Sequence, residues 1–400
     1  MIIASGSSCQ SGKRNSPTGM EDGHKEFHMS LTKKYMTLLG IWPVNWTGTR
    51  LIFYQIYYYL IFSYFCMFVA TMFVQLGVSF TTNVLAVAYV AGPTVAYFMN
   101  ILKVCVYKTD KFLNIINEIQ KTEKQVLSSK NQTVITIYKN NASISKKIEI
   151  YLTVMGISGF STYLIRPALL TGATNQKEIF GGNLIIPSWY PFDTQQYHWF
   201  AYAFQILPCF YGTFYIVYTQ AYYLSVLIFI RGQFKILQYT ISQVFSSSDP
   251  QQSLGEWIKE HQHILRMMTE LNECMNIVMF CDFMVSSLQL AMVIFQLMNV
   301  SGLEQIAVSL FCFTLNIQLY LLYWCGTEIA FESAKIASSA YQSNWYNCDL
   351  VVQKSLRIVI MRTQKPVMLR IGTIGNVQFD VLLKIYKTIY SFLCLIINNK

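Results

Sequence analysis

Long apolar runs separated by basic, polar connections dominate the chain. Between positions 51 and 102 there is no Asp, Glu, Lys or Arg, and such a stretch is too long for one helix across a hydrocarbon core that takes about 20 helical residues. It predicts two helices, 51–76 and 84–106, parted by the break at 77–83. Further apolar runs cover 150–170, 197–230, 274–298, 305–327 and 371–397. The pattern therefore predicts an all-α membrane protein with seven transmembrane helices. Unpaired peptide groups are costly in lipid, and these runs have helical length instead of the alternating ten-residue segments of a barrel.

Charge sets the orientation. Twenty-five of the thirty Lys and Arg residues fall in the leading segment and in the three connections on its side of the membrane, nine of them from Lys103 to Lys147 between spans two and three. The other side holds Arg166, Lys177 and Lys400, while Lys384 and Lys387 lie within span seven. The positive-inside bias then predicts a cytosolic amino terminus and an extracellular carboxyl terminus. A G-protein-coupled receptor has the reverse arrangement. On the same topology the sequons at Asn45, Asn131 and Asn141 face the cytosol, and only Asn299 faces out. The net charge of +10 needs no nucleic acid to explain it, because the cations flank membrane spans.

With 53% hydrophobic and 12% charged residues the composition is that of a polytopic membrane protein. Residues 1–28 are polar and lack the apolar core of a cleavable signal, so they read as a disordered cytosolic head before the ordered sequence from Met29. The ten cysteines show no CxxC pair or metal spacing. His261 and His263 are two apart and do not share a helical face, and Gly181-Gly182 lacks the following Lys-Ser/Thr of a phosphate loop. No catalytic, metal or cofactor constellation stands out, and an enzyme is not predicted. The inner connections are long. An apolar stripe through Ile258, Ile264, Leu265, Met268 and Leu271 predicts that helices four and five continue into the cytosol over about 231–273. A second extension covers about 328–366, with 338–362 read as one amphipathic helix that Pro366 interrupts before span seven. Outside, GGNLIIPSWYPFDTQQYHW has two readings: an ordered lid, stiffened by Pro187 and Pro191, whose Trp189, Tyr190, Phe192 and Trp199 cover apolar surface, or an aromatic belt at the membrane interface.

Three parts of the chain resemble the insect odorant receptor family. LTKKYMTLLGIWPVN (31–45) is similar to the family's Gly-hydrophobe-Trp-Pro approach to helix one, and PSWYPFDTQQYHWFAYAFQ (187–205) to its outer-loop signature. In the last third, AYQSNWYN (340–347), RTQKPVMLRIG (362–372) and YKTIYSF (386–392) resemble the family's Tyr-x-Ser-x-Trp-Tyr, Arg-x-Gln-Lys-Pro and Lys-x-x-Tyr-Ser-Tyr/Phe patterns in the family's order. The Thr-Tyr-hydrophobes-Gln-Phe ending of gustatory receptors is absent, and the stretch from Arg231 to Cys274 is shorter than the co-receptor's inner loop. The chain thus resembles a ligand-tuning subunit.

That resemblance implies a heterotetrameric, odorant-gated cation channel in the cell membrane of sensory neuron dendrites, assembled with the odorant receptor co-receptor and surrounded by lipid. Span seven, about 371–397, would line its pore. By family position Leu393, Leu395 and Ile396 form the expected gate, an apolar constriction that stays dry when closed. Charges inside a span avoid lipid, so Lys384 and Lys387 are expected at an inner vestibule, paired, between subunits or snorkelling, and Asp380, four residues before Lys384, is placed to neutralise it. A small volatile odorant calls for a closed apolar cavity, here in the outer halves of helices two, three, four and six. The candidates are Tyr89, Thr94, Gly159, Tyr163, Phe204, Tyr211 and Phe313. A gustatory-type or metabotropic seven-helix chemoreceptor remains the alternative; a transporter would show an inverted repeat, and none is found.

Overall fold

The computed structural model describes residues 28–44, 46–81, 84–169, 184–194, 196–300, 302–372 and 374–398; within its helices the side chains of some positions, including Tyr163, Leu393, Leu395 and Ile396, lie outside the description. Ten α-helices are found among the described residues. They are α1 (Ser30–Leu38), α2 (Thr49–Ser79), α3 (Val84–Tyr107), α4 (Asp110–Leu127), α5 (Gln132–Leu169), α6 (His198–Val244), α7 (Pro250–Asn299), α8 (Leu303–Tyr341), α9 (Leu350–Thr363) and α10 (Phe379–Asn398). Five segments are long and apolar enough to cross a membrane: α2, Tyr89–Tyr107 of α3, α6, α7, and Gln305–Tyr341 of α8. Helices α5 and α10 occupy the places of the third and seventh spans. The break between the first two spans falls at Phe80, after α2 ends at Ser79.

Helix α6 is the axis of the bundle. It packs against α1, α2, α3, α5, α7 and α8, and from Val217 to Phe234 every residue is buried. A helix hydrophobic all round belongs in the middle of a bundle, where no face needs water. Asp249 starts α7 by accepting a 3.0 Å hydrogen bond from the Gln252 amide, with Pro250 at the first helical position, where its missing N–H matters least. Helix α6 runs on to Val244 and α7 begins at Pro250, and the short turn at 245–249 that joins them leaves both helix ends packed in the main core through residues such as Leu237, Ile241, Leu254 and Trp257.

Two boundaries differ from the sequence expectation. The stretch 338–362 is two helices, not one: α8 ends at Tyr341, a 3-10 turn covers Trp345–Asn347, and α9 begins at Leu350. The turn-forming run Ser343-Asn344 overrides the amphipathic pattern, and Trp345 Nε1 donates to the Tyr341 carbonyl at 3.0 Å across the break. The seventh span starts at Phe379 instead of 371, because Arg370–Ile371 pairs antiparallel with Gly375–Asn376 in a small hairpin. Gly372 supplies the positive φ of 50° that the turn requires. The hairpin end docks on α8 at Gly326, where any Cβ would run into the Val377 carbonyl.

Residues 1–27 of the predicted head lie outside the described residues, but His28, assigned to that head, is buried. Its Nε2 lies 2.8 Å from the Ser225 carbonyl of α6, and its amide donates to Glu123 Oε1 of α4 at 3.0 Å. Burial pushes the imidazole pKa down to about 4, against the raising effect of the Ser225 hydrogen bond. Helix α1 follows, with Tyr35 stacked on Tyr218 of α6 at 4.4 Å between centroids.

At this end of the bundle α6 and α8 are joined by charge. Arg231 grips Glu328 Oε2 through Nε (2.9 Å) and Nη2 (2.8 Å), and its Nη1 donates to Asn141 of α5 at 3.1 Å. One turn on, Glu332 takes Lys235 at 3.4 Å and Gln238 at 2.9 Å. Asn141, a sequon residue, is buried and committed to Arg231 and the Ile228 carbonyl.

Candidate ligand cavity

Five helices enclose a cavity of about 150 Å³ in the membrane-spanning half of the bundle. Each contributes a stripe at helical spacing. Pro93, Ala96, Tyr97, Asn100 and Lys103 come from α3, and Met155, Gly156, Gly159 and Phe160 from α5. Helix α6 adds Cys209, Thr213, Ile216, Val217 and Gln220; α7 adds Asp282, Val285, Ser286 and Gln289. Helix α8 presents Phe311, Thr314, Leu315, Gln318, Leu319 and Leu322. These are the one-face repeats expected of helices ringing a hole. An apolar protein cavity of about 150 Å³ is large enough to take a benzene-sized guest.

Ile185 and Ile186 cap the cavity from the segment before α6. Gln205 of α6 holds that cap: its Oε1 accepts from the Ile186 amide at 3.2 Å, and its Nε2 donates to the Ile186 carbonyl at 2.9 Å and to Ser188 Oγ at 2.5 Å. The Trp189 amide ties the cap to the Thr71 carbonyl of α2 at 3.2 Å. The buried cover is the 184–188 stretch and not the aromatics expected to form it: Trp189 and Trp199 are exposed, and Tyr190 and Phe192 are half-buried.

The deep end of the cavity is charged. Lys103 Nζ lies 2.9 Å from Asp282 Oδ1 and 3.3 Å from Gln220 Oε1, and the two charged side chains are only 10% and 17% exposed. Lys103, counted with the inner connection for the charge bias, lies inside α3, which ends at Tyr107, one residue beyond the expected 106. An ion pair so shielded is held by its partners, since removing either would strand a charge.

Of the seven residues expected at the ligand, Gly159 lines the cavity. Thr94 is buried one position off the α3 stripe, its hydroxyl donating to the Val90 carbonyl at 2.6 Å. Tyr89 clusters with Val300 near the helix ends. Phe204 packs edge-on to Tyr64, and Tyr211 meets the Tyr57 hydroxyl at 3.3 Å, both toward α2. Phe313 is 54% exposed on the outer face of α8. The Tyr163 side chain lies outside the described residues. The four expected helices do wall the cavity, but α7 was missed. Asp282 is the only charged residue between Glu273 and Glu304, and a lone ionisable group within a span is the signal that would have found it.

In α10, Asp380, Lys384 and Lys387 are all exposed, on the side away from α7 and α8. No ion pair joins Asp380 to either lysine among the described residues, so the expected neutralisation of Lys384 within one chain is not formed. The side chains of Leu393, Leu395 and Ile396 lie outside the description. Tyr386 of α10 donates to Asn316 Oδ1 of α8 at 3.0 Å, and Asn316 sits between cavity residues Leu315 and Gln318. A wider cavity of about 530 Å³ lies elsewhere, between α7 and the 366–376 segment. Glu273, Arg362 and Arg370 are among its walls, which suit water better than an apolar guest.

Residues 83–390 match the 7tm odorant receptor family. The chain belongs to this family. Like other odorant receptors it is a multi-pass membrane receptor and not an enzyme. It is 24% identical to odorant receptor 10 of Aedes albopictus over 338 residues, covering 81% of this receptor and 87% of that one. It is 31% identical to odorant receptor 85c of Drosophila melanogaster over 151 residues, 37% of this receptor and 39% of that one. The fold is similar to that of the insect olfactory receptor OR5 of Machilis hrabei, solved alone and in complex with eugenol. Each comparison has a TM-score of 0.81 at 15% identity, covering 93% of this receptor and 98% of that chain.

Proposed function

We propose that this receptor binds small volatile odorants in the capped cavity among α3, α5, α6, α7 and α8, and that binding opens a non-selective cation channel formed with the odorant receptor co-receptor. The carrying observation is the cavity itself, mostly apolar, benzene-sized and covered in part by Ile185 and Ile186. The similarly folded Machilis receptor holds eugenol, a compact volatile, which supports the same use here. In this reading the chain sits in the dendritic membrane of an olfactory neuron with its amino terminus in the cytosol, α10 lines the shared pore, and the exposed Asp380, Lys384 and Lys387 face an inner vestibule or a neighbouring subunit. Leu393, Leu395 and Ile396 supply the gate. Helix α8 carries the signal, because one helix both walls the cavity and bonds Tyr386 of α10 through Asn316. A ligand that packs better against the open position of α8 shifts the channel toward it.

The test is to express the receptor with the co-receptor and record odorant-evoked current while G-protein signalling is blocked. Persistence of the current supports the channel; its loss makes the receptor metabotropic. An epitope ahead of Met1 should stay hidden from antibody on unpermeabilised cells.

A further inference from the structure

The deep end of the cavity holds a charge-assisted donor. The ammonium of Lys103 has three protons. Asp282 Oδ1 at 2.9 Å and Gln220 Oε1 at 3.3 Å take two of them. No other acceptor for Lys103 is found among the described residues, and all three residues line the cavity. Among the described lining residues Lys103 and Asp282 are the only charged ones; toward the other end, under Ile185 and Ile186, the walls are neutral and mostly aliphatic or aromatic, with Gln289 and Ser286 among them. The cavity therefore carries its charge at one end, with a charged donor at the bottom and neutral surface above it.

We infer that the receptor selects neutral volatiles with an oxygen acceptor, a ketone, aldehyde, ester or alcohol, at one end of a short apolar tail, and that Lys103, held in place by Asp282 and Gln220, donates to that oxygen. This rests on the assignment of the cavity as the odorant site. Three classes of ligand compete for the same space, and the pair distinguishes them. A hydrocarbon fills the cavity but leaves the third proton without an acceptor. A carboxylate accepts it, but Lys103 and Asp282 already cancel, so the anion brings an uncompensated charge into a site of low dielectric. A neutral oxygen accepts the proton and adds no charge. Hydrogen bonds to charged groups are among the stronger ones in proteins, so the oxygen should improve potency by about tenfold to a hundredfold over the matched alkane.

The experiment uses membranes bearing the full-length receptor, a single-ring environment-sensitive fluorophore such as N,N-dimethylaniline, and displacement by hexane, 2-hexanone, 1-hexanol and hexanoate. The expected order is the ketone and alcohol well ahead of hexane and hexanoate. In the double variant Lys103→Met/Asp282→Leu, which removes both charges and strands neither, the ratio of hexanone to hexane potency should fall to about one, the bound fluorophore showing that the cavity is still formed. Two results overturn the inference: equal displacement by all four compounds in the wild type, or tightest binding of hexanoate. A hexanone preference that survives the double variant also overturns it. Failure of the underlying site assignment looks different: the fluorophore does not bind the wild type, or it binds undiminished to Gly159→Trp, whose side chain would occupy the cavity.

Discussion

Replacing Gly159 with Val should weaken odorant potency while leaving the fold intact. Gly159 lines the cavity from α5, and a Cβ built there meets no heavy atom within 4 Å. The new Cβ therefore enters empty space, with room around it for the methyls to point into the cavity. Glycine inside a helix is disfavoured relative to alanine by about 1 kcal/mol, and valine recovers part of that, so the substitution should not destabilise α5. The three added carbons take space from the ligand. At about 0.8 kcal/mol per buried methylene, excluding three of them weakens binding by roughly 2.4 kcal/mol, or about fiftyfold for a ligand that fills the cavity. Smaller ligands should lose less, so the size preference of the receptor should shift downward. The assay is the dose-response of current in cells expressing receptor and co-receptor, across a homologous series, with surface labelling to normalise expression. Gly156 offers no such test, because a Cβ there would collide with Val217. If the half-maximal concentrations of Gly159→Val stayed within twofold of wild type for every chain length, the odorant would not be using this cavity.

Other consequences follow from the same contacts. Tyr386→Phe removes the bond to Asn316, a loss of about 0.5 to 1.5 kcal/mol; maximal current should fall with little change in fluorophore affinity, and an equal fall in both would place Tyr386 in binding instead of coupling. Glu328→Ala strands Arg231, whose side chain is only 8% exposed, so the detergent-solubilised receptor should melt earlier by an amount equivalent to several kcal/mol, whereas an unchanged melting curve would make the pair dispensable. His28 is stabilising in its neutral form, since its folded pKa of about 4 lies below the ordinary value of 6.5. Stability should be full above pH 6.5 and decline as pH falls toward 4, by on the order of 3 kcal/mol in total. His28→Gln should flatten that slope in pH-dependent melting. Replacing Leu395 and Ile396 with Asn should raise current in the absence of odorant, and an unaltered leak would move the gate elsewhere.

Much of this molecule was written in one dimension. Length and polarity of an apolar run decide whether it becomes a membrane helix, because lipid demands that each span satisfy its own backbone hydrogen bonds. That is a local requirement, so the first two spans could be placed within a few residues of α2 and α3 from an uncharged stretch alone. The motifs near both ends carried the family in the same way, as short strings readable without a fold. The seventh span was misjudged at its start because the hairpin at 370–376 depends on docking Val377 against Gly326 of another helix.

The cavity was decided by tertiary structure. Which face of a helix meets the hole is set by its rotation against its neighbours, and a shift of one residue turns a side chain by about 100°. The pattern points to Thr94 where Pro93 and Ala96 line the wall, and to Phe313 where Phe311 does. Lys103 shows the limit most clearly. In sequence it is one more basic residue at the end of an apolar run, indistinguishable from its cytosolic neighbours. Only the approach of Asp282 and Gln220, more than a hundred residues away on other helices, holds it inward and makes it the polar floor of the cavity.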